Sequence, residues 1–422
     1  MEVGKLALKP KPVKRNGWNA GRQEGWEARN LGGRETKNCR VTLCVFLSGI
    51  CPQKSSQVLP LAMFQSFSPQ RSCMIYNRIQ VLSLRLRPVS TPVLLGGIVC
   101  AVFVWPMASP AATVTERNTK MGSRFEITVV HATQKGAHEA IDAGWAEIDR
   151  VETIISSWRE DSETSAINNR AGSAPVKVSQ ELFNLIRRSL RVSQLTNGAF
   201  DITFDTVGRH WNFKDQEAPL PDSATIERAL LDTGHHHVVL DADARTVYLD
   251  RPNTRIGFGA IGKGFAANLT VIALRKNGVT GGIVNAGGDL VIFGQQEDDT
   301  PWRTGIADPL NRETVFAYLD LTDQAVVTSG DYESYIEIDG KRFSHILDPR
   351  TGYPVEELRS VTIVCPDGEL ADALATGISV MGISKGLALL NRLEGIEGML
   401  VDKDGRLHFS KNLRHMLNKD GQ

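Results

Sequence analysis

The feature that most constrains this chain is an uncharged segment, residues 88–115, which separates two parts of unlike charge. The whole chain carries 48 basic and 48 acidic residues. Of these, 15 bases but only 4 acids precede residue 91, so the remaining part holds 33 bases and 44 acids. A chain of this length would allow two or three domains, but this estimate assumes that the whole chain folds. We therefore expect only part of the chain to form a globular structure.

The uncharged segment has the layout of a secretory signal. Arginines precede an apolar centre at residues 93–107, and small residues follow at residues 108–112. The apolar centre has 15 residues, whereas a membrane-spanning helix needs about 20. We therefore predict an exported protein, either periplasmic or associated with the inner membrane and facing the periplasm. A membrane anchor is the alternative for residues 74–112.

Met74 stands shortly before this predicted signal, so we interpret it as the start of translation. Residues 1–73 are then upstream sequence or a disordered arm, and residues 113–422 form the folded domain. Five of the six cysteines precede the predicted domain, which leaves Cys365 alone within it. A lone cysteine cannot form an internal disulfide, so cysteine usage does not decide the compartment.

The predicted domain mixes helical and strand patterns. Apolar spacings of three and four and end signals, such as a Ser179 N-cap, predict helices at residues 136–158, 179–198 and 263–276. Runs rich in β-branched residues predict strands at residues 246–249, 315–319, 335–338 and 361–364. Strands and helices do not alternate strictly, so we predict an α+β fold. Layered mixed sheets with helices would form one large domain or two lobes around a cleft.

A glycine-rich stretch, RIGFGAIGKG at residues 255–264, opens the third predicted helix. Its spacing fits both a dinucleotide fingerprint and a triphosphate loop. However, no acid lies between residues 256 and 288 to bind a ribose, and Gly264 stands where a triphosphate loop has a hydroxyl for magnesium. Neither motif is complete, so the stretch alone is equally typical of a glycine-rich helix entrance required for packing.

Seven further motifs surround this stretch in a fixed order. They are MGSRFE (121–126), SSWREDSETS (156–165), TNGAFD (196–201), NAGGD (285–289), SGDYE (329–333), SHILDPRTGYP (344–354) and ADALAT (371–376). With these gaps, the set resembles the ApbE family, the FAD:protein FMN transferases, over residues 121–390. The specificity lies in the whole set, because no single motif carries the resemblance.

The resemblance implies a magnesium-dependent transferase. Such an enzyme cleaves FAD, releases AMP and attaches FMN by a phosphoester bond to a Thr or Ser of a target protein, which we expect to be a membrane redox subunit. Two alternatives are an FAD pyrophosphatase that yields FMN and AMP, and a non-catalytic flavin-binding protein. A nucleic-acid partner is not expected, because the predicted domain is acidic and has no basic stripe.

The resemblance also assigns site residues. It implies that magnesium is held by the side chains of Asp372 and Thr376, which project from one face of a helix, and by the backbone carbonyl of Ala260. Lys263 reaches the pyrophosphate as a point charge. The positions that match the family's flavin contacts are Met121, Trp158, Ala199, Phe200, Asp201 and Ile346. Residues 285–289 either form a tight turn between strands or contact the flavin directly.

His345 is our candidate general base, because it adjoins Ile346 and because the ordinary pKa of histidine lies near neutrality. Asp348 is its candidate orienting partner. Two positions depart from the family: Gly257 replaces an acid that helps to bind FAD in many relatives, and Asn268 replaces a frequent Asp. We interpret the histidines at residues 235–237 as incidental, since consecutive residues of a strand point to opposite faces.

We predict that the mature protein made in a secreting bacterial host begins between Ala108 and Thr113, because the small residues there suit a processing enzyme. N-terminal sequencing of the purified protein measures this directly. A soluble protein that retains Met1 would contradict the prediction.

Overall fold

The computed structural model describes residues 111–213, 215, 218–307, 315–331, 335–338 and 341–417. The predictions for residues 1–73, and for all but the last two of residues 74–112, lie outside this part of the chain. The described residues belong to one compact unit.

The main sheet has eight antiparallel strands in the order β1–β2–β6–β7–β10–β13–β14–β15. Smaller sheets are formed by β3–β5–β4, β8–β9 and β11–β12. In chain order the strands are β1 Ala112–Lys120, β2 Ser123–His131, β3 Val176–Lys177, β4 Val238–Asp241, β5 Thr246–Leu249, β6 Gly281–Ala286, β7 Asp289–Phe293, β8 Trp302–Ala307, β9 Val315–Leu321, β10 Gln324–Gly330, β11 Tyr335–Ile338, β12 Lys341–Ser344, β13 Leu358–Cys365, β14 Glu397–Asp402 and β15 Leu407–Phe409.

The helices cover the sheet and the loops between the strands. They are α1 Gln134–Ile155, α2 Glu163–Asn168, α3 Gln180–Leu195, α4 Asp205–Gly208, α5 Ser223–Leu230, α6 Gly262–Lys276, α7 Gly368–Leu390 and α8 Leu413–Met416. Two 3₁₀ turns lie at Ile202–Phe204 and His235–His237. This mixed arrangement confirms the predicted α+β class.

The three predicted helices are present, with small shifts at their ends. Helix α1 stops at Ile155 because Ser156 adopts extended dihedrals. Helix α3 begins after Ser179, whose hydroxyl accepts a hydrogen bond from the Leu182 N–H, so the predicted N-cap is confirmed. Helix α6 ends before Gly278, which has a φ of 81°. The four predicted strands are present as β5, β9, β11 and β13.

The premise that residues 235–237 lie on a strand was wrong, because these histidines form a 3₁₀ turn. The buried carboxylate of Asp201 explains the turn: its Oδ2 accepts hydrogen bonds from the His235 N–H at 2.6 Å and from the His235 ring at 3.1 Å. His237 Nδ1 lies 2.7 Å from Oδ1 of Asp250. At least two of the three histidines therefore have a structural role.

Helices α6 and α7 approach each other more closely than side chains would allow. A Cβ atom at Gly264 would lie 2.1 Å from the carbonyl oxygen of Gly368. Helix α7 is also the one helix among the described residues that is long and apolar enough to cross a membrane, and 61% of that apolar stretch is buried within the protein. Its burial follows from its packing against the main sheet and α6.

We predict that Gly264→Ala destabilises the protein by roughly 1–3 kcal/mol or more, because the new methyl group would collide with backbone that cannot rotate away. This loss outweighs the gain of about 1 kcal/mol from replacing a helical glycine by alanine. A thermal melt measures the change.

Gly144→Ala in α1 is the matched control. Its methyl group would meet only side-chain methyl groups, at 3.1–3.3 Å, so a smaller effect is expected. A Gly264→Ala protein that melts at or above the parent temperature would show that the close approach does not limit stability.

Candidate active site

The loop that opens α6 is held on both sides by hydrogen bonds. On one side, the buried amide of Asn168 donates to the Ile256 carbonyl at 2.9 Å and accepts from the Ile256 N–H at 2.8 Å. On the other, the Thr206 hydroxyl accepts from the Arg255 N–H at 2.8 Å, and the Gly257 N–H donates to the Ile202 carbonyl. The loop therefore has a fixed path before any ligand arrives. Sequence reasoning missed Asn168, because a lone Asn at a helix end ordinarily caps that helix.

The first turn of α6 faces the predicted metal ligand Asp372. Ile261, the N-cap residue, supplies no side-chain acceptor, but the Gly264 N–H donates to Oδ2 of Asp372 at 3.0 Å. The side chain of Asp372 is buried. A carboxylate at this position interacts favourably with the partial positive charge of the α6 N-terminus. The structure thus brings together the glycine-rich loop and the ADALAT motif.

Lys263 lies beside a second buried carboxylate. Its Nζ is 2.5 Å from Oδ2 of Asp289, which begins β7 and is 1% exposed. Burial raises the pKa of Asp289, and the nearby Lys263 opposes this rise. Residues 286–289 form a two-residue hairpin turn, in which Ala286 pairs with Asp289. The tight turn proposed for this motif is therefore present, and its last residue orients the lysine.

The predicted metal ligands on α7 offer hard oxygen atoms. Thr376 follows Asp372 by one helical turn, and its Oγ1 lies 3.3 Å from Oγ of Ser329. Magnesium prefers oxygen ligands and usually retains water, so one carboxylate with hydroxyl and carbonyl oxygens fits its chemistry. Within the described ranges, no cluster of three or more His, Cys, Asp or Glu side chains is arranged to hold a metal ion. The donors that α7 presents are therefore the Asp372 carboxylate and the Thr376 hydroxyl, both of them oxygen atoms.

Two predicted flavin contacts lie at the edge of the loop. Met121 occupies the turn between β1 and β2 with a φ of 49°, an uncommon conformation for a residue other than glycine. A Cβ atom at Gly262 would lie 3.8 Å from its Cε. Trp158 follows α1 and is 82% exposed. Trp158 is therefore not part of the hydrophobic core.

The other predicted flavin contacts differ in how much surface they offer. Ala199 and Ile346 pack together in a small cluster with Val380. The Phe200 ring is 1% exposed and belongs to the main core, so its side chain is not a wall of an open slot. The Asp201 carboxylate accepts hydrogen bonds from Thr203 and His235. For Phe200 and Asp201, the structure thus shows packing and capping roles.

His345 is partly buried between the buried residues Ser344 and Ile346. The hydroxyl of Ser344 accepts a hydrogen bond from the Ile346 N–H at 3.2 Å, which fixes the backbone on either side of the histidine. The carboxylate of Asp348 pairs with Arg350 at 2.7 Å. The role of His345 remains a prediction, and the ion pair with Arg350 gives Asp348 a partner that sequence reasoning did not foresee.

A model of the ApbE family matches residues 121–400, which is more than half of the chain. This chain belongs to the ApbE family. Membership makes it an enzyme of the transferase class that acts in flavin transfer.

Named relatives agree with this assignment. The chain is 34% identical over 304 residues to the FAD:protein FMN transferase of Salmonella typhimurium, covering 71% of this chain and 86% of that protein. It is 32% identical over 305 residues to the FAD:protein FMN transferase of Klebsiella pneumoniae, covering 71% of this chain and 87% of that one.

Solved structures of the family share the fold. The crystal structure of the ApbE protein from Thermotoga maritima matches with a TM-score of 0.68 and 30% identity, over 73% of this chain and 100% of that chain. The flavin transferase ApbE from Vibrio cholerae matches with a TM-score of 0.66 and 28% identity, over the same shares of the two chains. These likenesses confirm the α+β fold class.

Proposed function

We propose that this protein cleaves FAD in a magnesium-dependent reaction, releases AMP and attaches FMN through a phosphoester bond to a Thr or Ser of an acceptor protein. We further propose that it is exported and acts at the periplasmic face of the inner membrane, on a membrane redox subunit. The names of the relatives support FAD as the substrate and a protein as the acceptor.

One contact carries the proposal: the 3.0 Å hydrogen bond between the Gly264 N–H and Oδ2 of Asp372. It fixes a carboxylate at the N-terminus of α6, where backbone N–H groups and the helix dipole favour phosphate. Lys263 lies in the same first turn, and Asp289 holds its ammonium group. Pyrophosphate cleavage requires groups that position and neutralise the phosphates. Such groups are a lysine, a carboxylate that can hold magnesium, and the N-terminus of a helix.

In the proposed reaction, Asp372, Thr376 and the Ala260 carbonyl hold magnesium. When bound, this ion neutralises negative charge on the phosphoanhydride oxygens. Lys263 binds the pyrophosphate as a fixed point charge, and Trp158 offers an exposed ring face for stacking. His345 takes the proton from the acceptor hydroxyl as that oxygen attacks phosphorus, and AMP leaves.

Incubation with FAD and magnesium, with and without a threonine-containing acceptor peptide, tests the proposal. AMP release that requires the peptide, with FMN mass added to it, supports transfer. AMP release without the peptide would instead indicate an FAD pyrophosphatase, and no release in either case would indicate a protein that only binds flavin.

We predict that Asp372→Ala abolishes transfer more completely than Thr376→Ala, because a carboxylate contributes a full charge to a cation where a hydroxyl contributes a dipole. Transfer assays over a range of magnesium concentrations measure the difference. Thermal melts with and without magnesium give a second readout, in which Asp372→Ala should lose any magnesium-dependent rise. Full activity of both variants would remove these residues from the metal site.

We also predict that His345→Ala still binds FAD, while transfer slows by roughly 100- to 10,000-fold, the usual effect of losing a general base. An FAD titration, a thermal melt and a transfer assay on one purified variant separate binding, folding and chemistry. If His345 is structural, the melting temperature and FAD affinity should fall together. Transfer at the parent rate by a normally folded variant would refute the assignment.

A further inference from the structure

The space beside Gly257 is filled by a carboxylate from a different element. A Cβ atom at Gly257 would lie 3.2 Å from Cβ, 3.4 Å from Cγ and 3.6 Å from Oδ1 of Asp205. Asp205 begins α4, and Gly257 lies in the loop that opens α6. The Asp205 carboxyl group therefore occupies the region that a side chain at position 257 would enter.

This carboxyl group lines an open cavity of about 230 Å³. The other lining residues are Ser157, Trp158, Arg209 and Arg255. The cavity is smaller than the roughly 300–1,000 Å³ typical of sites that enclose a whole drug-sized ligand. It therefore suits one ring system of a larger ligand.

The Asp205 carboxylate offers the cavity a hydrogen-bond acceptor. Arg255 Nε donates to Oδ2 of Asp205 at 3.3 Å. Among the hydrogen bonds of the described residues, none involves Oδ1 of Asp205. The side chain is only 14% exposed, and it forms an ion pair with Arg255, which favours the ionised carboxylate. An ionised carboxylate accepts hydrogen bonds and cannot donate them, so this atom selects a donor.

The aromatic part of the cavity indicates the shape of the ligand. Trp158 exposes 82% of its surface, and an exposed indole face stacks well on a planar ring. A ring stacked there with an N–H group on its edge could donate to Oδ1 of Asp205, while Arg209 and Arg255 balance the charge. Both the adenine and the isoalloxazine rings of FAD have this chemistry.

We infer that Asp205 is a specificity-determining residue for FAD, which accepts a hydrogen bond from an N–H group on the edge of a heteroaromatic ring stacked on Trp158. The inference rests on the proposed function, since it takes FAD as the ligand. Asp205 supplies from α4 the carboxylate that position 257 lacks, so the two positions act as one acceptor site.

An exchange of the two side chains tests this inference. Asp205→Gly should weaken FAD binding by roughly 10- to 100-fold, the usual effect of losing a hydrogen bond to a charged group. Gly257→Asp alone should also weaken binding, because two carboxylates would share one space. The double variant D205G/G257D should recover most of the parent affinity, since the new carboxylate enters the vacated space. Such recovery is a coupling that independent sites do not show.

FAD titrations without any acceptor protein measure these affinities, so a parent that binds FAD but transfers nothing would refute only the proposed function. Glu227→Gln, an exposed acid on α5, is the matched charge control and should bind FAD as the parent does. Thermal melts check folding, and Asp205→Asn replaces Asp205→Gly if the glycine variant does not fold. Competition by AMP or by FMN, and its loss in the Asp205 variant, identifies which ring contacts Asp205.

Parent affinity in both Asp205 variants would overturn the inference. A double variant whose losses simply add would also overturn it, because Asp205 would then act only as a structural partner of Arg255.

Discussion

The candidate site depends on the close contact between the first turns of α6 and α7. Gly264 has no side chain, and this allows its backbone to touch Gly368. At that distance the Gly264 N–H reaches the Asp372 carboxylate, and the Asn268 side chain accepts from the Gly368 N–H at 3.0 Å. Each helix therefore supplies a hydrogen-bond acceptor to the start of the other. This mutual capping brings two motifs more than 100 residues apart to one place.

Burial of charge explains why the site is rigid. Removing a carboxylate from water is costly unless it gains a partner, and Asp289 and Asp372 are both buried. Asp289 gains Lys263, and Asp372 gains the Gly264 N–H. Because breaking either contact would remove a hydrogen-bond partner from a buried carboxylate, both contacts favour fixed positions of the lysine and the carboxylate. A fixed array of charges can stabilise a transition state without reorganising during the reaction.

Helices and strands with a regular spacing of apolar residues were predictable from the sequence, whereas long-range contacts were not. Helices α1 and α3 show clear apolar faces, and Ser179 marks the start of α3. Helix α7 has no single apolar face and is largely buried, so periodicity could not delimit it, and only the motif containing Asp372 pointed to it. The hydrogen bonds between the Asn168 side chain and the Ile256 backbone join residues 88 positions apart. No local sequence pattern indicates such a pairing.

The two positions at which the sequence departs from the expected family pattern have different surroundings. Asn268 accepts a hydrogen bond from the N–H of Gly368, a role that needs an oxygen atom but no charge. A neutral amide meets it without adding a negative charge near Asp367 and Asp372, so this departure keeps the local contact. At Gly257 the loss of an acid would remove a charge from the loop, but the Asp205 carboxyl group lies against that position. A carboxyl group is therefore present beside the loop although position 257 does not supply it.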